Sequence, residues 1–258
     1  MSSTEASTRL RLGDTEVARI GLGTNRLTKT PENVAHVKEA VAAGVSFIDT
    51  AYTYTGGQSE DTIGTALSPL PDGCIVGTKG GWNGAQPDVL RAEIEESLRR
   101  LRTDRIGLYY LHRPDPDVAI EESLGEIKEH QDSGKIRLVG VSNVGVEEIE
   151  RARTVVPIAA VQNPHSLTER RYEDVVDYCE AEGIVFVPYF PLRGVGGRVL
   201  ADVAARLGAT EEQVALAWLL KRSPVMLPIP GSLSLEHVKE NLAALDLELG
   251  DAELQALS

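Results

Sequence analysis

Cysteine is scarce in this chain. Cys74 and Cys179 are the only two in 258 residues. Neither belongs to a C-x-x-C pair or to a cluster with metal-ligand spacing, which excludes a disulfide framework and a cysteine-held metal; both read as buried free thiols. Such usage fits a reducing compartment, and a cytoplasmic location is expected. Cations are in deficit, 26 Lys and Arg against 39 Asp and Glu, for a formal net charge of −13. A surface of that sign repels phosphate backbones, so nucleic acid is not an expected partner. No apolar run approaches the ~20 residues that cross a bilayer. The segment from Met1 to Thr8 lacks a basic start and an apolar stretch, so neither a membrane partner nor a signal peptide is expected. Linker-like stretches and composition shifts are also missing, and residues 1–258 read as one domain, a length that α/β barrels commonly reach.

What is present is an alternation. Short apolar runs recur at 18–22, 46–50, 74–78, 106–111, 136–141, 158–161, 184–190 and 225–229. They are rich in Val, Ile and Leu, as parallel strands buried on both faces are. Amphipathic stretches lie between them at 31–43, 87–101, 118–132, 146–154, 169–182, 210–221 and 234–245, and one or two short helices fit between 193 and 222. Pro31 near the first turn and Gly44 past the end frame the first stretch. Val89, Leu90, Ile94, Leu98 and Leu101 share one face of the second. Strict alternation reads as βαβ units. A doubly wound dinucleotide fold would require G-x-G-x-x-G after its first strand. Gly21-Leu22-Gly23-Thr24-Asn25-Arg26 lacks the third glycine, and Gly194-Val195-Gly196-Gly197 also misses the pattern. The α/β class in the form of a closed (β/α)8 TIM barrel fits better. Residues 9–12 and 16–18, joined around Gly13-Asp14, are expected to form a short N-terminal β-hairpin.

In such a barrel the chemistry sits at the C-terminal strand ends. The second run ends Phe47-Ile48-Asp49-Thr50-Ala51 with Tyr54 beyond, the third in Thr78-Lys79, the fourth in His112-Arg113, the fifth in Ser142-Asn143 and the sixth in Gln162-Asn163. Singly, each of these polar residues has a commoner structural reading as a loop cap or a rim group. Together, an acid, a phenol, an amine and an imidazole from three consecutive strand ends, spaced ~4.8 Å apart, can converge. Carbonyl reduction needs a hydride at carbon and a proton at oxygen. Tyr54 suits the general acid, Lys79 would lower its pKa, Asp49 would partner Lys79, and His112 would orient and polarise the carbonyl. The hydride must come from a cofactor.

These residues resemble the signature of the aldo-keto reductase superfamily, carried by Phe47 to Ala51, Tyr54, Gly57, Ser59-Glu60 and Gly64. The similarity runs from about Arg9 to Asn241. It implies a (β/α)8 barrel and an NAD(P)H-dependent reduction of aldehydes or ketones, with Asp49, Tyr54, Lys79 and His112 as the catalytic set. It also implies cofactor contacts. Thr24, Asp49, Ser142, Asn143 and Gln162 would hold the nicotinamide end. Tyr189 would support the ring, and the chain around Phe190, Leu192 and Gly194 would meet the pyrophosphate. Gly231, Ser232, Ser234 and His237 would meet the adenosine phosphate, and Glu240 and Asn241 the adenine. A helix beginning near Ser234 would aim its positive end at that phosphate.

Many members carry lysine where Gly231 stands and arginine where His237 stands. NADPH remains the implied cofactor, with NADH as the alternative. The loop that often covers the cofactor is trimmed between 193 and 222, and the chain stops soon after its last expected helix, so an open pocket is expected. Arg26, Tyr52, Trp82 and Arg113 are its candidate walls, for a small-molecule carbonyl substrate. Tyr54-Thr55-Gly56-Gly57 resembles bacterial members that take pyridoxal-type aldehydes. His165 reads as structural or as a rim residue. A monomer or weak oligomer is expected, with no metal. Two other readings stay open at this stage. One is a cofactor-binding barrel with a regulatory or structural role and no significant turnover. The other is a barrel enzyme for a phosphorylated substrate near Gly231-Ser232.

Overall fold

The structure is a computed structural model that describes residues 8–257. An antiparallel hairpin opens it, β1 (Arg9–Leu12) against β2 (Thr15–Ala18). Seven parallel strands then pair in chain order. They are β3 (Leu22–Gly23), β4 (Phe47–Asp49), β5 (Ile75–Gly80), β6 (Ile106–Leu111), β7 (Ile136–Ser142), β8 (Ile158–Gln162) and β9 (Val185–Phe186). Helices α1 (Pro31–Ala42), α2 (Gln58–Leu67), α3 (Pro87–Leu101), α4 (Ile120–Asp132), α5 (Val146–Val155) and α6 (Glu173–Glu182) connect them. After β9 come α7 (Arg198–Leu207), α8 (Glu211–Arg222), α9 (Leu235–Ala243) and α10 (Asp251–Ala256).

The eighth run closes the barrel without forming a regular strand. Val225 O accepts from Phe186 N at 2.9 Å, and Leu227 N donates to Phe186 O at 2.9 Å. On the other side, Pro228 O and Pro230 O accept from Gly21 N and Gly23 N at 2.9 and 3.2 Å. Pro228 and Pro230 have no N–H to return toward β3, so only half of that ladder forms. Ring closure therefore rests on proline carbonyls.

Residues alternate across the barrel wall, as period-two strands must. Phe47, Ile75, Leu108 and Tyr110 point inward and pack with Leu12 and Val17 of the hairpin, which plugs the barrel floor. Ile48, Val76, Tyr109 and Leu111 face outward and belong to the outer core that also holds Val37 of α1, Ile63 of α2, Leu90 and Ile94 of α3, and Leu124 and Ile127 of α4. Leu12 and Val17 are fully buried, a hydrophobic gain of about 2 kcal/mol each. Local signals set the helix ends. Thr30 Oγ1 accepts from Asn33 N ahead of Pro31 in α1, and Thr210 with Gln213 makes a capping box on α8.

Several expected boundaries shift. Ala18 pairs with Arg9 in the hairpin, so the first barrel strand is only Leu22–Gly23. The run at 184–190 contracts to β9, although Val187 N and Tyr189 N still donate to Val161 O and Asn163 O at 2.8 and 3.1 Å. Helices α2 and α10 were not foreseen. The buried face of α2 includes Ser59, Glu60, Thr62 and Gly64 as well as Ile63 and Leu67, a polar mixture that hides the amphipathic pattern. Gly64 sits there because a Cβ would lie 2.2 Å from Arg100 O on α3.

Candidate active site

A cleft of about 720 Å³ opens at the C-terminal ends of the strands. On its floor, Lys79 at the end of β5 is fully buried. Its Nζ donates to Asp49 Oδ2 at 2.8 Å, to Thr50 O at 2.7 Å and to Tyr54 Oη at 3.4 Å. Asp49 Oδ1 accepts from Gln162 Nε2 at 2.8 Å, so both carboxylate oxygens are engaged. Thr24 Oγ1 donates to Asp49 O at 2.7 Å and ties β3 to β4.

Tyr54 reaches the floor through an unusual turn. Thr55, Gly56 and Gly57 follow it at φ of 49°, 64° and 90°. At φ of 90° Gly57 adopts a backbone conformation that favours glycine, and a Cβ there would also have to displace the Arg100 guanidinium carbon, 2.4 Å away. Ser59 Oγ lies 2.8 Å from both Thr24 Oγ1 and Thr50 Oγ1. Buried Glu60 accepts from Thr78 Oγ1 at 2.6 Å and pairs with Arg100 at 3.4 Å. The Ser-Glu pair of the sequence signature thus clamps α2 onto β3, β4 and β5, which holds the Tyr54 turn against Lys79.

The electrostatics follow from burial. Desolvation alone would lower the Lys79 pKa, but Asp49 and then Tyr54 outweigh it and hold the pKa above its ordinary value. The phenol of Tyr54 behaves otherwise. Burial raises its pKa, Lys79 pulls it down, Asp49 pushes it back, and the net direction is upward. The expected lowering by Lys79 is present, but burial outweighs it, and the nearby Asp49 carboxylate adds to the upward push. His112 stands edge-on to Tyr54 with ring centroids 6.1 Å apart. Burial first, then the charges of Lys79 and Arg113, push its pKa down to about 3, so the ring is neutral near pH 7. Its Nδ1 is buried with no hydrogen-bond partner.

One wall is built from polar groups at the ends of β7 and β8 and the loop after β9. Asn143 adopts φ of 60°, which asparagine tolerates. Its Nδ2 donates to His112 O at 3.0 Å, and its Oδ1 accepts from Tyr189 Oη at 2.7 Å. One amide thereby fixes the heights of His112 and Tyr189. Thr24, Arg26, Asp49, Tyr54, Trp82, His112, Ser142, Asn143, Gln162, Tyr189, Phe190, Leu192 and Gly231 all border the cleft.

Other expected positions lie elsewhere. Gly194 is exposed and sits beside Thr168, outside the cleft lining. Ser232, Ser234, His237, Glu240 and Asn241 cluster at the start and along α9, also outside it. Ser234 Oγ caps that helix by accepting from His237 N, and Ser232 O lies 3.1 Å from His36 Nε2. Tyr52, expected on the pocket wall, instead lies under the Arg100 guanidinium, 4.5 Å from its ring centroid. The cation on α3 captures the ring before it can reach the cleft. Arg113 stacks over Trp82 at 4.7 Å and is not part of the lining itself. His165 is fully buried, stacked on Trp218, and so is not a rim residue. Asn25, Thr53 and Arg193 line the cleft without having been foreseen. Only Arg193 carried a signal, its place between Leu192 and Gly194.

Comparison with known proteins gives the family and the fold. The model of the aldo/keto reductase family matches residues 19–198 and 195–258. The pyridoxine 4-dehydrogenase of Escherichia coli strain K12 is 36% identical, with 98% of each chain covered. A solved thermostable aldo-keto reductase in complex with the inhibitor epalrestat matches with a TM-score of 0.90 at 32% identity, covering 96% of this chain and 98% of that one. The aldo/keto reductase from Klebsiella pneumoniae in complex with NADP and acetate matches with a TM-score of 0.88 at 30% identity, covering 97% and 94%. A closed parallel barrel whose second, third and fourth strand ends bring Asp49, Tyr54, Lys79 and His112 together, and a family match over nearly the whole length, lead to one assignment: this chain belongs to the aldo/keto reductase family.

Proposed function

We infer that this chain reduces an aldehyde or ketone to an alcohol, reversibly, with NADPH as cofactor, and that Tyr54 delivers the proton. The observation that carries this reading is Lys79 Nζ, which bridges Asp49 Oδ2 and Tyr54 Oη beneath the cleft beside neutral His112.

The residues present fit a nicotinamide dinucleotide. The buried amide and hydroxyl of Gln162 and Ser142, with half-buried Asn143, offer donors and acceptors to a carboxamide. Tyr189, tethered by Asn143, offers a flat ring on the same wall. Ser232, Ser234 and His237 at the start of α9 would meet the adenosine phosphate, and Glu240 and Asn241 the adenine. Leu192, Phe190 and Gly194 would hold the diphosphate. When bound, the nicotinamide supplies the hydride. The complex of the Klebsiella pneumoniae relative with NADP supports this choice of cofactor.

Within the chain, Tyr54 is protonated across neutral pH as an ordinary phenol is, and burial pushes its pKa further up, so its Oη carries the proton that the developing alkoxide needs. Lys79 stabilises the phenolate left behind, and Asp49 keeps Lys79 charged and in place. His112, neutral and with no acceptor at Nδ1, keeps its proton on Nε2 at lower cost and can donate it to the carbonyl oxygen. Arg26 and Trp82 would form the substrate wall, with Arg113 behind Trp82. The likeness to a pyridoxine 4-dehydrogenase favours a pyridoxal-type aldehyde. We read residues 1–258 as one catalytic domain, acting in the cytoplasm as a monomer or weak oligomer.

The test is titration with NADPH and NADH, followed by intrinsic fluorescence, and then a carbonyl screen. A Kd for NADPH at least tenfold tighter, about 1.4 kcal/mol, supports the cofactor assignment. A preference for NADH keeps the reductase but overturns the reading of Ser232, Ser234 and His237. Binding of neither overturns the whole reading.

A further inference from the structure

Charge is unevenly spread around the cleft. The chain carries a net charge of −13, yet the charged side chains bordering the cleft are Asp49, Arg26 and Arg193. Asp49 is neutralised by Lys79 at 2.8 Å. The entrance is therefore positive in an acidic protein, the arrangement that concentrates anions. Arg193 has a carboxylate within reach, Glu169 at 3.8 Å. Arg26 has no ion-pair or hydrogen-bond partner among the described residues, and Arg113 makes no direct ion pair among them, although its charge is felt by the Asp115 carboxylate. The acid nearest to Arg113 in sequence, Asp115, is committed to Ala85 N and Asp117 N, each at 2.9 Å.

The position of Arg113 is specific. Trp82 lies 4.7 Å from His112, ring to ring, and the Arg113 guanidinium lies 4.7 Å over Trp82. Imidazole, indole and guanidinium thus form a ladder from the reacting floor to the rim. Stacking occupies the face of a guanidinium and leaves its in-plane N–H donors free, in the fork that matches a carboxylate or phosphate.

We propose that this reductase selects carbonyl substrates that bear an anionic group, carboxylate or phosphate, about one aromatic ring away from the carbonyl. The anion is held by Arg113, braced on Trp82, with Arg26 adding positive potential from the cleft lining. The proposal rests on the reductase reading above.

The experiment measures kcat/KM with NADPH for two matched pairs of aldehydes. The first is 4-carboxybenzaldehyde against its neutral isostere 4-nitrobenzaldehyde, and the second is pyridoxal 5′-phosphate against pyridoxal. Wild type, Arg113→Gln, Arg113→Lys and Arg26→Gln are compared, so that intrinsic differences in aldehyde reactivity cancel in the wild-type-to-variant ratio. Arg113→Gln is expected to lose at least tenfold more kcat/KM on the anionic member of a pair than on the neutral one, mainly through KM. Arg113→Lys, which keeps charge without the planar fork, is expected to fall between. The wild-type KM for the anion is expected to rise with salt while that for the neutral partner does not. An effect on one pair alone identifies carboxylate or phosphate as the favoured anion. A differential loss below tenfold on both pairs in Arg113→Gln overturns the proposal while the reductase reading stands. Turnover of none of the four aldehydes by the wild type, with NADPH or NADH, removes the reductase reading and this proposal with it.

Discussion

Lys79 Nζ lies 2.8 Å from Asp49 Oδ2, with the lysine side chain wholly shielded from water. The pair joins the ends of β4 and β5 and faces the phenol of Tyr54 at 3.4 Å. It serves the site at a cost, since two ions have left water and only mutual attraction and hydrogen bonds compensate.

Removing one partner should expose that cost. Asp49→Asn leaves a buried ammonium without its counter-ion and is expected to lose about 3–5 kcal/mol of stability in urea unfolding. Adding Lys79→Met, which replaces the ammonium with a methionine side chain, should recover part of the loss. A drop under about 1 kcal/mol would mean that water reaches the pair.

The proton-donor role of Tyr54 separates binding from chemistry. Tyr54→Phe deletes a group used only in the transition state. It is expected to lower kcat by roughly a hundredfold or more while NADPH affinity stays within about threefold. Near-normal turnover would remove Tyr54 from that role.

His112 makes the site acid-sensitive. Its pKa falls from 6.5 to about 3 on burial beside Lys79 and Arg113. Between those values the unfolded chain binds the extra proton, so acidification favours unfolding. The stability gained by keeping the ring neutral is present above the unfolded pKa and is lost as pH falls toward the folded one, about 2 kcal/mol by pH 5. His112→Gln should therefore lose less stability than the parent between pH 7 and pH 5 in paired urea melts. Equal losses would place the acid sensitivity in another group.

His237 is exposed at the start of α9, where Ser234 caps the helix. His237→Arg adds a permanent cation beside the position assigned to the adenosine phosphate. It is expected to tighten NADPH by roughly threefold or more and leave NADH unchanged. Unchanged affinity for both would move that phosphate elsewhere.

The helix interface behind the site is equally constrained. Gly64→Ala would bring a Cβ to 2.2 Å from Arg100 O. Overpacking of this kind costs about 1–3 kcal/mol, and the displaced α2 would loosen the Tyr54 turn. A thermal midpoint equal to the parent's would show that α2 and α3 can part without strain.

Residue order alone dictated much of this molecule. Apolar runs of strand length, spaced by amphipathic stretches, leave a parallel barrel as the consistent packing. The placement of Asp49, Tyr54, Lys79 and His112 after successive runs puts them on one face, because strand ends of a parallel sheet share a face. The fold decided what depends on contacts distant in sequence. Pro228 and Pro230 lack an N–H and so return no bond, but that their carbonyls would close the ring on Gly21 and Gly23, at the other end of the chain, was visible only in the fold. Arg100, on α3, draws Tyr52 away from the cleft and lies against the Cα of Gly57. Burial, which no local pattern states, raises the Tyr54 phenol and holds His112 neutral. The surroundings of the rim arginines emerged only in three dimensions: among the described residues no carboxylate pairs with Arg26, and Arg113 is braced on Trp82, a residue distant in sequence.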